Sequence, residues 1–172
     1  MELIKGKKYR VTDQQGNSFV MVAANEHRLE SRKFILIGCG KAKRSEACEA
    51  QDLYVGSLFK ARRAYAEASG HRWMILSAKH DVMNPSMVIE PYNLTMKDLS
   101  PGLRKWWAKE VAWQLLNRFV NEVEIHAGAS YVYQLTSELA ASGISWTWPV
   151  AGLSQGHQLQ WYKQQREKKG NA

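Results

Sequence analysis

Phe34-Ile35-Leu36-Ile37-Gly38-Cys39-Gly40-Lys41 is the stretch that decides the fold. Four apolar residues without alternation, closed by glycine, describe a strand covered on both faces, as in parallel sheets. The pattern recurs outward from there. Trp73-Met74-Ile75-Leu76 ends at Ser77, and Val123-Glu124-Ile125 ends at His126. Trp146-Thr147-Trp148-Pro149-Val150 is a fourth, short strand that runs into Gly152-Leu153-Ser154-Gln155-Gly156-His157. Helices are predicted between them. Leu53 to Ala68 places Leu58, Ala61, Tyr65 and Ala68 on one face, with Gly70 as a stop. Pro101 to Val120 starts with Ser100 as cap and proline at a tolerated first-turn position. Tyr131 to Ser142 ends at Gly143, and Gln155 to Lys169 is a polar, basic helix. This alternation predicts a Rossmann-like, three-layer α/β domain with a mostly parallel sheet over residues 33–172.

Residues 1–32 read differently. Lys8 to Thr12 and Ser18 to Ala23 are β-prone runs around Asp13-Gln14-Gln15-Gly16-Asn17, which predicts a β-hairpin, with Asn25 to Arg32 as a linker. A lone hairpin is marginal in water, so it is expected to pack on the main domain or its sheet.

The 172 residues are 45% apolar and 23% charged, a globular composition long enough to bury a core without staples. No run approaches the ~18 apolar residues of a membrane span. The start, MELIKGKKYRVT, lacks an apolar stretch after its basic residues, so no secretory signal is expected. Cys39 and Cys48 make a poor disulfide framework, and a reducing, cytoplasmic setting is the expectation. The net charge of +8 is concentrated at the ends: +4 in residues 1–50, +1 in 51–162 and +3 in 163–172. Peripheral phosphate contact by DNA, RNA or a nucleotide follows as an expectation, with chemistry left to the nearly neutral centre.

In open α/β sheets, ligands bind beyond the carboxyl ends of the strands. Each predicted strand ends there in polar residues. Gly38-Cys39-Gly40-Lys41 is a candidate phosphate nest, although the P-loop spacing is absent. Its glycines can instead mark a tight turn at positive φ. Ser77-Ala78-Lys79-His80-Asp81 and His126-Ala127-Gly128-Ala129-Ser130 follow the second and third strands. Lys79, His126, Gly128 and Ser130 join Gly38, Cys39, Gly40 and Lys41 as anion-binding candidates. Cys39 reads as a buried thiol or, beside basic residues, as a nucleophile. His80, His126 and His157 lack a metal-ligand motif, so no metal and no cofactor are assigned. Glu90-Pro91-Tyr92 supplies the best acid candidate, since carboxylates serve glycosyl transfer as nucleophile or base. Ser77, His80, Glu90 and His126 are expected to line one concave site. Trp106 and Trp113 share a helical face and read as core. Trp146, Trp148 and Trp161 are candidates for stacking a base.

LIGCGKAKR (36–44), LYVGSLFKARRAYAE (53–67), ILSAKHDVMNPSMVIEPYNLTM (75–96), VEIHAGASYVYQL (123–135) and GLSQGHQLQWY (152–162) occur together in this order. They resemble a bacterial and phage family of largely unassigned function that is similar to the peroxide-stress protein YaaA and to a domain of archaeosine synthase. The resemblance covers roughly Phe34 to Tyr162 and leaves the hairpin unmatched. It implies a Rossmann-like domain with a nucleotide or nucleic-acid connection, in base modification or damage response. By the family pattern the matching positions are Cys39, Lys41, Tyr54, Ser77, Lys79, His80, Glu90, Tyr92, His126, Gly128 and Gln158. Asp81 departs from it, standing where that family has glycine followed by leucine. Gly40 stands where serine or threonine is common.

The leading expectation is a nucleobase- or nucleotide-processing enzyme acting at an N-glycosidic bond or on a base. Glu90 would be nucleophile or base, with Tyr92, His80 and Ser77 assisting, and with Gln158 added to the phosphate-binding set. The alternatives are a non-catalytic DNA- or RNA-binding protein and a nucleotide-sensing or interaction module. A buried Glu90 facing the crevice favours catalysis, and an exposed one favours binding alone.

Overall fold

The computed structural model describes residues 8–12, 18–22 and 33–170. Chain contacts divide the protein into two compact units, Met1–Ser31 and Arg32–Ala172. In the first, β1 (Lys8–Thr12) pairs antiparallel with β2 (Ser18–Val22), Lys8 opposite Val22. The expected turn Asp13 to Asn17 and linker Asn25 to Arg32 lie outside the described residues.

The second unit runs β3 (Lys33–Gly38), β4 (Cys48–Glu49), α1 (Ala50–Leu53), α2 (Ser57–Ala68), β5 (Arg72–Ser77), β6 (Asp81–Met83) and β7 (Val88–Ile89). It continues with α3 (Pro101–Leu116), β8 (Glu122–His126), α4 (Ala129–Ala141), β9 (Ser145–Thr147) and α5 (Gln155–Gly170). Its five-stranded sheet has the order β6-β5-β3-β8-β9. All neighbours are parallel except β5 and β6. β3 is central, with Leu36 opposite Met74 on one side and Ile125 on the other, which explains its unbroken apolar run. Strand alternation sends Phe34, Leu36, Met74, Leu76, Val123 and Ile125 to one face, against α3 and α4. Ile35, Ile37 and Ile75 go to the other, against α1 and α2. Helices therefore cover both faces of a mostly parallel sheet, the Rossmann-like arrangement expected. The chain passes from β3 to β5 on one side, then returns across β3 to β8. That reversal places a topological switch point between the carboxyl ends of β3 and β8.

Four local differences matter. The helix expected from Leu53 to Ala68 breaks at Tyr54–Gly56, because the loop after β3 binds this segment. Arg44 N–H donates to Leu53 O at 2.9 Å, Val55 N–H donates to Ala42 O at 3.1 Å, and Lys43 bridges Tyr54. Ser77 to Asp81 forms a tight hairpin, Ser77 opposite Asp81, with Asp81 at φ 55°. A three-residue loop closed by a left-handed residue is a common hairpin geometry. β4 and β7 form a small ladder, Cys48 opposite Ile89, that ties the segment before Glu90 to α1. Finally, α3 is in a different rotational phase from that expected. Trp107, Ala108, Val111, Ala112 and Leu115 are buried, whereas Trp106 and Trp113 are exposed. Both faces of this helix are apolar, so periodicity cannot choose between them.

Candidate functional site

Cys39 follows β3 directly, and its backbone N–H donates to Leu76 O at 2.9 Å, continuing the sheet. Its sulfur is 3.3 Å from the Tyr131 hydroxyl, which comes from the first turn of α4 beyond β8. This contact spans the switch point. Tyr92 also hydrogen-bonds Cys39, and its hydroxyl is 2.7 Å from Ser77 Oγ and 2.8 Å from the Tyr54 hydroxyl. Ser77 Oγ accepts the backbone N–H groups of Lys79 (3.1 Å) and His80 (3.2 Å). With its lone pairs so occupied, its proton is directed to Tyr92. Trp107 Nε1 donates to Ser77 O at 2.8 Å, and its ring meets Tyr131 edge-on at 5.6 Å, so α3 braces the cluster.

Three cationic or titratable groups surround these phenols. Lys43 Nζ stands 4.5 Å from the centre of the Tyr92 ring, and Lys79 Nζ stands 5.4 Å from it. The His80 ring meets Tyr92 edge-on at 5.2 Å, and among the described residues its buried Nε2 has no hydrogen-bond partner. Burial, then the nearby Lys79 charge, hold His80 below its ordinary range, so the ring is neutral at pH 7. Burial is the first cause that pushes Tyr54, Tyr92 and Tyr131 well above the usual phenol range. The cluster is therefore a network of neutral hydroxyls, hydrogen-bonded to one another, to Ser77 and to Cys39, under a cationic rim.

Cys39 also lines a pocket of about 310 Å³ with Gly40, Lys41, Ser57, Phe59, Arg62 and Gln155. Gly56 caps α2 without a side-chain hydrogen bond, so the first N–H groups of α2 have no intrahelical acceptor. They give this wall a positive potential, reinforced by Lys41 and Arg62. Arg62 is only 6% exposed; its Nη2 donates to Gln158 Oε1 at 3.0 Å, and its Nε has no partner among the described residues. A larger recess of about 420 Å³ lies at the amino end of β3 and β5, beside Lys33, Phe34, Arg72 and Arg118. No cluster of hydrogen-bonded phenols or thiols lines it, and ligands of such sheets bind at the other end.

His126 belongs to a separate, buried network. Its Nε2 is 2.9 Å from Glu124 Oε1 and its Nδ1 is 2.8 Å from the Tyr162 hydroxyl. Glu124 also accepts from Tyr65 at 2.7 Å and pairs with Lys33 at 2.7 Å. Burial works against charge on Glu124, but hydrogen bonds from His126, Lys33 and Tyr65 outweigh it and hold the carboxyl down at about 2. Burial keeps His126 below its ordinary range despite Glu124. A neutral ring facing a carboxylate carries its proton on Nε2 and accepts from Tyr162 on Nδ1.

The structure thus brings Ser77, His80, Tyr92 and Cys39 together, and places Gly40 and Lys41 on the adjoining pocket. Several expectations need correction. His126 has no exposed surface and lines no concave site, because the pleat points it at α5. Gln158 acts through Arg62 rather than from the crevice. Gly38 and Gly40 are not in the left-handed region, and the Cys39 N–H serves the sheet, so Gly38 to Lys41 forms no nest. Glycine is needed at 38 for space: an added Cβ would lie 3.0 Å from Ala127 Cβ. Gly128 and Ser130 are exposed at the start of α4. Glu90 is exposed and, among the described residues, has no hydrogen-bond or ion-pair partner. His157 is exposed and bonded to Ser154 at 2.9 Å, away from His80 and His126. Trp161 packs on Tyr65 and His126, and Trp148 packs on Tyr133, so these indoles are not gathered for stacking. Tyr131, Lys43 and Arg62 were not among the expected site residues. Only the Cys39–Tyr131 contact and the break before α2 reveal them.

The fold and these contacts define a doubly wound α/β domain with a cluster of hydrogen-bonded phenols beside cationic side chains at its switch point. The chain belongs to the family of unknown function DUF6884, whose profile matches residues 34–164. Comparison with curated proteins finds no match.

Proposed function

We propose that the crevice binds a nucleotide, free or within DNA or RNA, and acts on its base by N-glycosidic or base-modification chemistry. One observation carries this reading: Cys39 joins the Lys41–Arg62–α2 pocket to the hydrogen-bonded Tyr54–Tyr92–Tyr131 hydroxyls and the neighbouring His80. The pocket suits a phosphate, through a helix N-terminus and two cations. Neutral hydroxyls and a neutral His80 suit the carbonyl and ring-nitrogen acceptors of a base. The resemblance to YaaA and to a domain of archaeosine synthase supports the same direction. With Glu90 exposed, hydrogen bonding to the reacting base passes to Tyr92, which Ser77 and Tyr54 hold in place. That exposure also favours a second reading, in which the same groups bind a nucleotide or nucleic acid without altering it.

Calorimetric titration with nucleoside monophosphates, the matching nucleosides and short oligonucleotides tests the site. Phosphorylated ligands should bind at least ~10-fold more tightly than nucleosides, and Lys41→Ala should remove about 1.4 kcal/mol of that difference. Chromatography of ligand after incubation then separates the readings. Released or altered base, lost in Tyr92→Phe, supports processing; intact ligand supports binding alone. Equal affinity for nucleotide and nucleoside overturns both.

A further inference from the structure

We propose that the pocket beside Arg62 selects a phosphate monoester, the terminal phosphate of a free nucleotide or of a strand end, over the phosphodiester inside a strand. The selection rests on the pocket holding a nucleotide's phosphate at all. Arg62 lies on the second turn of α2, is 6% exposed and lines the pocket. Its partners are neutral. Nη2 donates to the Gln158 amide oxygen at 3.0 Å, and the guanidinium also hydrogen-bonds the Tyr162 hydroxyl. Tyr162 is pushed up to about 12, chiefly by burial, so it carries no charge at pH 7. Among the described residues no carboxylate pairs with Arg62, and its Nε has no hydrogen-bond partner. A buried charge without a counter-ion is costly, and folded proteins pair such groups. An anion in the pocket supplies the missing partner.

The rest of the lining says which anion fits. Ser57 opens α2 and Gln155 opens α5, so two helix N-termini border the pocket. Each is equivalent to roughly half a positive charge. Lys41 adds a full one, and no aspartate or glutamate is among the lining residues. A phosphate monoester carries a charge of about −2 at pH 7 and presents three acceptor oxygens. A diester has one charge and one terminal oxygen fewer. The monoester therefore neutralises Arg62 and still answers Lys41 and the helix ends, whereas a diester leaves part of that field uncompensated.

Calorimetry of the full chain with a nucleoside monophosphate, its methyl phosphodiester and the nucleoside, for each common base, tests the selection. The monophosphate should bind at least ~10-fold more tightly than the methyl diester. Arg62→Met keeps an unbranched stem without the charge and should reduce that preference to within about threefold. Should this buried change prevent folding, Lys41→Ala, on an exposed position, should still cut the preference by about threefold. A terminally phosphorylated oligonucleotide, set against the same strand without that phosphate, identifies the source. A matching preference for the phosphorylated strand indicates strand ends, and a preference confined to the mononucleotide indicates free nucleotides. Monophosphate and diester bound equally, both more tightly than the nucleoside, overturn the selection and leave phosphate binding standing. Equal affinity for all three, or no binding, overturns both. A preference that survives Arg62→Met in full removes Arg62 as its origin and overturns the proposal.

Discussion

Asp81 shows how one residue sets both geometry and pH response. It occupies the left-handed position that closes the Ser77–Asp81 hairpin, a conformation that favours glycine, asparagine or aspartate. Burial, then repulsion from Glu110, push its carboxyl up to about 6, partly offset by Gln114. Because the folded value lies above the ordinary 3.8, its contribution to stability is full below pH ~4 and lost as pH rises through about 6. Asp81→Asn keeps the left-handed backbone and removes the charge. Thermal denaturation should find it about 2–4 °C more stable than the parent at pH 8, with the gap closing at pH 4. An equal gap at both values would show that titration of Asp81 is not the cause. Glu124 has the opposite sign. Held at about 2, it contributes stability above its ordinary range near 4.5 that is lost as pH falls through about 2. Glu124→Gln should lower the melting temperature by roughly 5–8 °C at pH 7, and by progressively less as the medium is acidified.

At the scale of elements, the crevice depends on how closely β3 and β8 approach. Gly38 and Ala127 lie side by side at the strand ends, with Arg62 Nη1 3.3 Å from the position of a Cβ on Gly38. Gly38→Ala should therefore cost about 1–3 kcal/mol in denaturant unfolding and weaken the site, because backbone and Ala127 must move. Gly40→Ala meets Tyr54 Cβ at 3.4 Å, an ordinary contact, and should cost less than 1 kcal/mol. Reversal of that order would remove close strand approach as the reason for glycine at 38. The break between α1 and α2 is equally consequential. A continuous helix would carry Tyr54 past the crevice, whereas the Ala42–Arg44 backbone captures this segment and presents its hydroxyl to Tyr92.

Across the whole molecule, charge separates from chemistry. The phenol cluster lies in the nearly neutral centre of the chain, while Lys163, Arg166 and Lys168 stand exposed along α5. Lys5, Lys7 and Lys8 add charge in the N-terminal unit, where their side chains lie outside the described residues, as does that of Lys169. If these segments contact phosphates, log affinity for a short oligonucleotide should fall linearly with log salt. Neutralising Lys163, Arg166, Lys168 and Lys169 together should flatten that slope by about 3.6 on double-stranded DNA if all four contact phosphates. Filter-binding titrations at 50 and 200 mM salt measure it. Affinity indifferent to salt would restrict recognition to the central crevice. No described helix is long and apolar enough to cross a membrane.

The runs Phe34–Ile37 and Trp73–Leu76 were legible because a strand covered on both faces is apolar on both; Val123–Ile125 followed the same pattern except at Glu124. From them came the α/β class, the sheet edge where the candidate site lies, and the candidacy of Cys39, Ser77, His80 and Tyr92. Tertiary packing decided what composition leaves degenerate. α3 carries tryptophan on two faces, and only contact with the sheet selects Trp107 for the core and leaves Trp106 and Trp113 outside. His126 ends a strand just as Ser77 does, but the direction of its side chain depends on the pleat, which turned it toward Glu124 and Tyr162. Tyr131 and Arg62 look like ordinary helical residues in one dimension. They reach the site because the chain reverses its winding direction at β3, bringing α2 and α4 to either side of Cys39. Such pairings join residues as many as 96 positions apart, and no local pattern encodes a contact of that separation.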